Sequence, residues 1–181
     1  APEKNLGLKA EAFFSACKMN SPHAVLGLLH QQYPQLKYYL NVSTPLETLV
    51  GAILSAQVRD EVVNAALPTL FKKYKTAKDY ATADLKELTT IIKSITFAEN
   101  KAKNITAASQ ILIDKYNGNV PKTVDELTAL PGIGKKTAHV ILQNAYGVVE
   151  GIVVDTHVLR VSYRLGWTNT DKNADKSAEQ L

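Results

Sequence analysis

Leu130-Pro131-Gly132-Ile133-Gly134-Lys135-Lys136-Thr137 is the stretch that decides the fold of this chain. Two glycines flank one apolar residue, and apolar-faced helical patterns stand on either side, at about Thr123–Ala129 and Lys135–Tyr146. Glycine has no Cβ, so the pair permits a turn too tight for other residues. Such a turn delivers the chain directly into the helix at Lys135 and leaves that helix's first N–H groups without carbonyl partners. These donors and the helix dipole favour an anionic oxygen, and a DNA phosphate is the natural occupant. Taken alone, the motif reads equally well as an αα-hairpin whose glycines serve packing.

Outward from the hairpin the chain continues as short helices joined by short loops. Thr44-Pro45-Leu46-Glu47 is a capping box with proline at the first helical position, followed by Leu46, Leu49, Val50, Ile53 and Leu54 at helical spacing. A second helix starts near Asp60 with Val62, Val63, Ala66, Leu67, Leu70 and Phe71, and Pro68 inside it predicts a break or kink near Ala66. Asp84 opens a third, with Leu85, Leu88, Ile91 and Ile92 on one face. A fourth runs from about Glu99 to Tyr116 and stops at Asn117-Gly118. Asp155 is a ready N-cap for another that ends at Gly166. Alternation of strand type is nearly absent, Ile152-Val153-Val154 being too short for a sheet. The expected fold class is all-α.

Composition narrows the class of protein further. The 181 residues are 45% hydrophobic, enough to bury a core without a disulfide or metal staple. Lys and Arg number 21 against 17 Asp and Glu, for a formal charge of +4. This mild excess permits a polyanionic partner without demonstrating one. Cys17 is the single cysteine, so the chain has no internal disulfide and a reducing compartment is the natural reading. The best apolar stretch, Leu49–Leu54, is far short of a membrane span, and the Ala-Pro-Glu-Lys start lacks the apolar core of a signal peptide. Membrane proteins, secreted disulfide scaffolds and disordered chains are excluded.

The hairpin resembles the helix-hairpin-helix element of DNA glycosylases, and two further motifs lie in register with it. Val153-Val154-Asp155-Thr156-His157 puts a carboxylate nineteen residues after Lys136, and Ser55-Ala56-Gln57-Val58-Arg59-Asp60 closes the first capped helix. Together these are similar to the endonuclease III family of base-excision glycosylases, over about Leu46 to Gly166. The resemblance implies two interlocked helical subdomains, the second incomplete. A helical barrel covers residues 41–147, with the helix-hairpin-helix at 123–146. The N-terminal helical segment 1–40 and the truncated start of a C-terminal subdomain, 148–181, form the other. Asp175–Leu181 reads as the first two turns of a helix, in keeping with a chain cut short.

The same resemblance implies a function and its residues. The chain is expected to be a bifunctional DNA glycosylase and abasic-site lyase that flips oxidised pyrimidines out of duplex DNA. Lys136 is the expected nucleophile at C1′, forming a Schiff base whose β-elimination nicks the strand. Attack needs a neutral amine, which partial burial, the adjacent Lys135 charge and the helix start would all favour. Asp155 is the expected carboxylate, stabilising developing positive charge or activating the amine, and an ordinary N-cap is its plainer role. Gln57 is expected to fill the gap left by the flipped base, and Phe97 to act as an apolar wedge. Thr96 and Ala98 stand where the family loop carries a Gly and an aromatic residue, and on its own Phe97 reads as a core side chain. Gly132, Gly134, Lys135 and Thr137 are expected to bind DNA through the hairpin. Lys101, Lys103, Arg160 and Arg164 are plausible basic neighbours of the duplex.

Some features separate this chain from most relatives. Thr128 stands where many carry a carboxylate near the lesion pocket. Most also hold a [4Fe–4S] cluster on four cysteines after this region, which Cys17 cannot replace, so no cluster is expected in this chain, which reads either as a fragment or as a cluster-free relative. A monovalent cation at the hairpin, as in some relatives, stays open. Without C-terminal partners, Phe13, Phe14, Val25, Leu26 and Leu29 are expected to present apolar surface, to be covered by a missing C-terminal segment or a second chain. Two other functions remain in view: a monofunctional mismatch (uracil or thymine) glycosylase, and a non-catalytic helix-hairpin-helix DNA-binding module.

Overall fold

The computed structural model describes residues 21–34 and 38–181. Cys17, Phe13 and Phe14 lie outside the described residues. In chain order the helices are α1 (Pro22–Gln32), α2 (Pro45–Ser55), α3 (Asp60–Lys73), α4 (Ala77–Ala81) and α5 (Leu85–Ile91). They continue with α6 (Ala98–Tyr116), α7 (Val124–Thr128), α8 (Lys135–Tyr146), α9 (Thr156–Arg164) and α10 (Ala174–Ala178). The described residues contain no strand, so the fold is all-α. None of these helices is long and apolar enough to cross a membrane. The described residues form two compact units: Tyr38–Gly151, and the described residues before Tyr38 taken with Ile152–Leu181.

Side-chain caps set most helix starts in the larger unit. Thr44 Oγ1 accepts from the Glu47 N–H at 3.2 Å, and Glu47 Oε2 accepts in return from the N–H groups of Ser43 and Thr44. Asp84 and Thr123 cap α5 and α7 in the same manner, each accepting from the N–H three residues on. At the far end of α6, Asn117 and Gly118 adopt φ of 51° and 78°, and the Gly118 N–H returns to the Leu112 carbonyl at 2.8 Å. This left-handed closure ends the helix where Asn-Gly predicts it.

The core gathers around α6, which packs against α2, α4 and α5. Ile105 and Leu112 of α6 are fully buried, along with Leu49, Ile53 and Leu54 of α2, Leu67 and Leu70 of α3, and Ile141 of α8. Each such aliphatic side chain contributes about 1.5–3 kcal/mol relative to exposure. α2 also packs on α8, and α7 on α8, so the hairpin between α7 and α8 is tied to the core from both sides.

Two details depart from the sequence expectation. α3 runs from Asp60 to Lys73 with Pro68 inside it, without a break near Ala66. Pro68 is exposed, while Val63, Ala66, Leu67 and Leu70 are buried on either side of it, so packing carries the helix across the missing N–H. α4 is a further helix of five residues, held by a second capping box between Thr76 and Asp79.

In the smaller unit α9 and α10 pack together. The Ser162 and Thr168 hydroxyls lie 3.2 Å apart, and Ser177 Oγ donates to the Thr170 carbonyl at 3.2 Å. On α1, Leu26 and Leu29 are exposed as expected, whereas Val25 is buried at 1% exposure and adds no apolar surface.

Candidate functional site

The hairpin is anchored from beneath by apolar side chains. Leu127, Leu130 and Ile133 are all buried, and the Ile133 N–H donates to the Leu130 carbonyl at 3.2 Å to close the turn. Gly132 takes φ of 83°, a left-handed conformation that side chains resist. Gly134 is the N-cap of α8 with φ −96° and ψ 174°, and no side chain caps the N–H groups of that first turn. No acidic residue stands in the turn either; Lys135 and Lys136 do. Free amides, the positive end of the helix and two ammonium groups therefore share one small exposed surface, the arrangement that attracts a phosphate oxygen.

Lys136 is exposed, as are Lys135 and Gly134, with Thr137 half-buried. The partial burial expected for Lys136 is not found. Its side chain leaves α8 at the second helical position, while the buried face of the helix begins only at Ala138 and continues through Ile141 and Leu142.

A second group lies where α2 ends and α6 begins. Gln57 is exposed and takes φ of 58°. Phe97, the N-cap of α6, takes φ of 59° and is 61% exposed, so it is not the core side chain that its type alone suggests. Left-handed backbone at a non-glycine residue is uncommon, and a bulky residue there is a clear outlier. Lys101 joins the two. Its N–H donates to the Phe97 carbonyl at 3.0 Å, and its ammonium donates to the carbonyls of Leu54 at 2.8 Å and Ala56 at 2.7 Å.

Lys101 thus departs from the role of an exposed basic neighbour. It is buried among α2 and α6, and burial lowers its pKa below the ordinary lysine value. Its place was readable as a lysine on the apolar stripe of Ala98, Ile105, Ala108 and Leu112. Lys103, one turn beyond Glu99, pairs with it at 2.8 Å on the exposed face of α6. Asn104, three residues after Lys101, faces the hairpin: a Cβ on Gly132 would lie 2.9 Å from its Nδ2. One helix therefore supports the Gln57 loop, Phe97 and the glycine turn.

Asp155 belongs to the smaller unit and caps α9. Its Oδ1 accepts from the N–H groups of His157 at 2.9 Å and Val158 at 2.7 Å. Oδ2 takes no hydrogen bond among the described residues, so capping occupies half of the carboxylate. Arg160 and Arg164 are exposed on α9, with the Arg160 guanidinium 3.3 Å from His157 Nδ1. Thr128 ends α7, donating its hydroxyl to the Asp125 carbonyl at 3.0 Å. His139 packs beside Gly151.

A four-thiolate cluster does not fit the residues present, because the 181 residues include one cysteine. Among the described residues no three His, Cys, Asp or Glu side chains gather to hold a metal ion.

Comparison with known proteins places the chain in a class. The profile of HhH-GPD superfamily base excision DNA repair proteins matches residues 50–181. The chain belongs to that superfamily. Within it the chain is similar to endonuclease III of Bacillus subtilis (strain 168), at 44% identity over 155 residues, covering 84% of this chain and 70% of the relative. Endonuclease III of a Synechocystis species is 42% identical over 153 residues, with the same coverage of 84% and 70%. Among solved structures, a non-covalent endonuclease III–DNA complex superposes with a TM-score of 0.83 at 43% identity, covering 88% of this chain and 74% of that one. A trapped endonuclease III–DNA covalent intermediate gives 0.81 at 44%, covering 86% and 73%.

Proposed function

We propose that this chain is a DNA glycosylase with abasic-site lyase activity, which removes oxidised pyrimidines from duplex DNA and nicks the strand. The observation that carries the reading is Lys136: a solvent-facing amine at the uncapped start of α8, directly after the glycine turn. Phosphate held by the free amides of that turn would fix the DNA backbone beside the amine. A relative of 44% identity captured as a covalent DNA intermediate supports a nucleophile of this kind.

In this reading Lys136 Nζ attacks C1′ of the damaged nucleotide, the N-glycosidic bond breaks, and the base leaves with a proton. The amine proton is lost as the sugar ring opens to the Schiff base. Removal of a proton from C2′ then expels the 3′-phosphate and breaks the strand. Asp155 supplies the carboxylate for charge stabilisation or proton transfer, using the oxygen that does not cap α9. Gln57, with an amide that both donates and accepts, fills the space of the extruded nucleotide, and exposed Phe97 wedges the base stack. Gly132, Gly134, Lys135 and Thr137 hold phosphate at the hairpin.

Borohydride trapping tests this directly. Incubated with a thymine-glycol duplex or an abasic duplex and reductant, the protein is expected to form a covalent adduct, and without reductant a nicked product. Base release from an intact strand would instead establish a monofunctional glycosylase, and binding with neither product a DNA-binding module.

A further inference from the structure

The carbonyls at the C-terminus of a helix have no donors within it, and α2 ends at Ser55, directly after buried Leu54. The Lys101 ammonium meets this need by donating to the carbonyls of Leu54 and Ala56. At 6% exposure it is the one charged group among the buried polar residues of the larger unit's described chain. A buried charge is costly without partners, and its partners here are main-chain oxygens. It therefore fixes the path of the backbone. That path leads at once into Gln57 at φ 58°, and one turn before Lys101 on α6 stands Phe97 at φ 59°. Left-handed backbone at a non-glycine residue is strained and persists only where its surroundings hold it.

We propose that Lys101 is a positioning residue: by clamping the Leu54 and Ala56 carbonyls it holds the Gln57 loop, beside the start of α6 at Phe97, in the conformation that meets a damaged duplex. The proposal rests on the reading of Gln57 as a DNA contact. Lys101 itself touches no DNA and takes no part in bond making.

The test uses the full chain and two readouts. The first is hydrogen exchange of the Val58 amide in the free protein, where it donates to the Ser55 carbonyl at 3.1 Å. The second is duplex binding, measured as Kd for a tetrahydrofuran abasic analogue, set beside the single-turnover nicking rate on an abasic duplex at saturating protein. Lys101→Met removes the donor and keeps the stem, and is expected to speed Val58 exchange and raise Kd by about tenfold each. The saturated nicking rate is expected to stay within about threefold, and Lys101→Arg to recover most of the affinity.

Unchanged exchange in Lys101→Met overturns the clamp. Faster exchange with unchanged affinity overturns the reading of Gln57 as a DNA contact, and the proposal with it. A fall in the saturated rate as large as the loss of affinity also overturns it, because it puts Lys101 in the chemistry or in the fold as a whole. If Lys101→Met does not fold, Lys101→Gln decides by the same criteria, with its shorter neutral donor expected to give smaller changes in the same directions.

Discussion

Gly132 lies hard against Asn104: a Cβ on the glycine would sit 2.9 Å from the asparagine Nδ2 and 3.3 Å from both its Cβ and Cγ. The amide end can swing aside, but Cβ is fixed to α6, so the hairpin and the helix can approach this closely only through glycine. The left-handed φ of 83° adds a second requirement at the same position. Gly132→Ala is expected to cost about 2 kcal/mol and to lower the thermal midpoint by roughly 4–8 °C. A midpoint within a degree of the parent would remove the case for a close-packed turn.

Much of this was legible in the sequence, and the failures have particular causes. Capping residues such as Thr44, Asp84, Thr123 and Asp155 mark helix starts because their side chains satisfy amides that nothing else reaches, and all four do so in the structure. Pro68 does not end its helix because Val63, Ala66, Leu67 and Leu70 pack around it, which is a tertiary matter. Five residues are too few to show a period, so α4 was visible only through its capping box. The left-handed backbone of Gln57 and Phe97 had no local signal, since neither type favours it. Lys101 did have one, a charge on an apolar stripe, but what it bonds to lies 45 and 47 residues away in the chain.

Lys136→Gln is expected to abolish borohydride trapping and lower strand nicking by about 10³-fold or more, the scale on which loss of a nucleophile acts. Duplex affinity should remain within about threefold, because Lys135 and the backbone amides of α8 are still present. Trapping gels and a fluorescence-anisotropy titration read the two quantities. Undiminished trapping in the variant would move the nucleophile to another residue.

Asp79 offers a pH-dependent test of the second capping box. Its Oδ2 accepts from the N–H groups of Lys75 at 2.9 Å and Thr76 at 2.8 Å. These bonds, with a smaller contribution from the Thr76 hydroxyl, hold its pKa below the ordinary carboxylate value. A group depressed in the folded state stabilises above its unfolded pKa, near 4, and loses that contribution as pH falls through the folded value. Asp79→Asn should therefore destabilise by about 0.5–1 kcal/mol at pH 7, toward the low end because the site is solvated. The gap between parent and variant should close as pH falls below about 4. Denaturant melts across that range check it, and a gap independent of pH would show that the carboxylate's charge does not matter.

Gly134→Ser separates stability from DNA binding, because the two should move in opposite directions. The residue is the N-cap of α8, its φ of −96° and ψ of 174° suit serine, and a Cβ there meets nothing within 4 Å. The new hydroxyl would accept from a first-turn amide that is otherwise uncapped, adding a few tenths of a kcal/mol to stability. That same amide is the one assigned to phosphate, so duplex Kd should rise about threefold to tenfold. A thermal midpoint that rises with unchanged duplex affinity would mean that phosphate does not sit on the amides of α8.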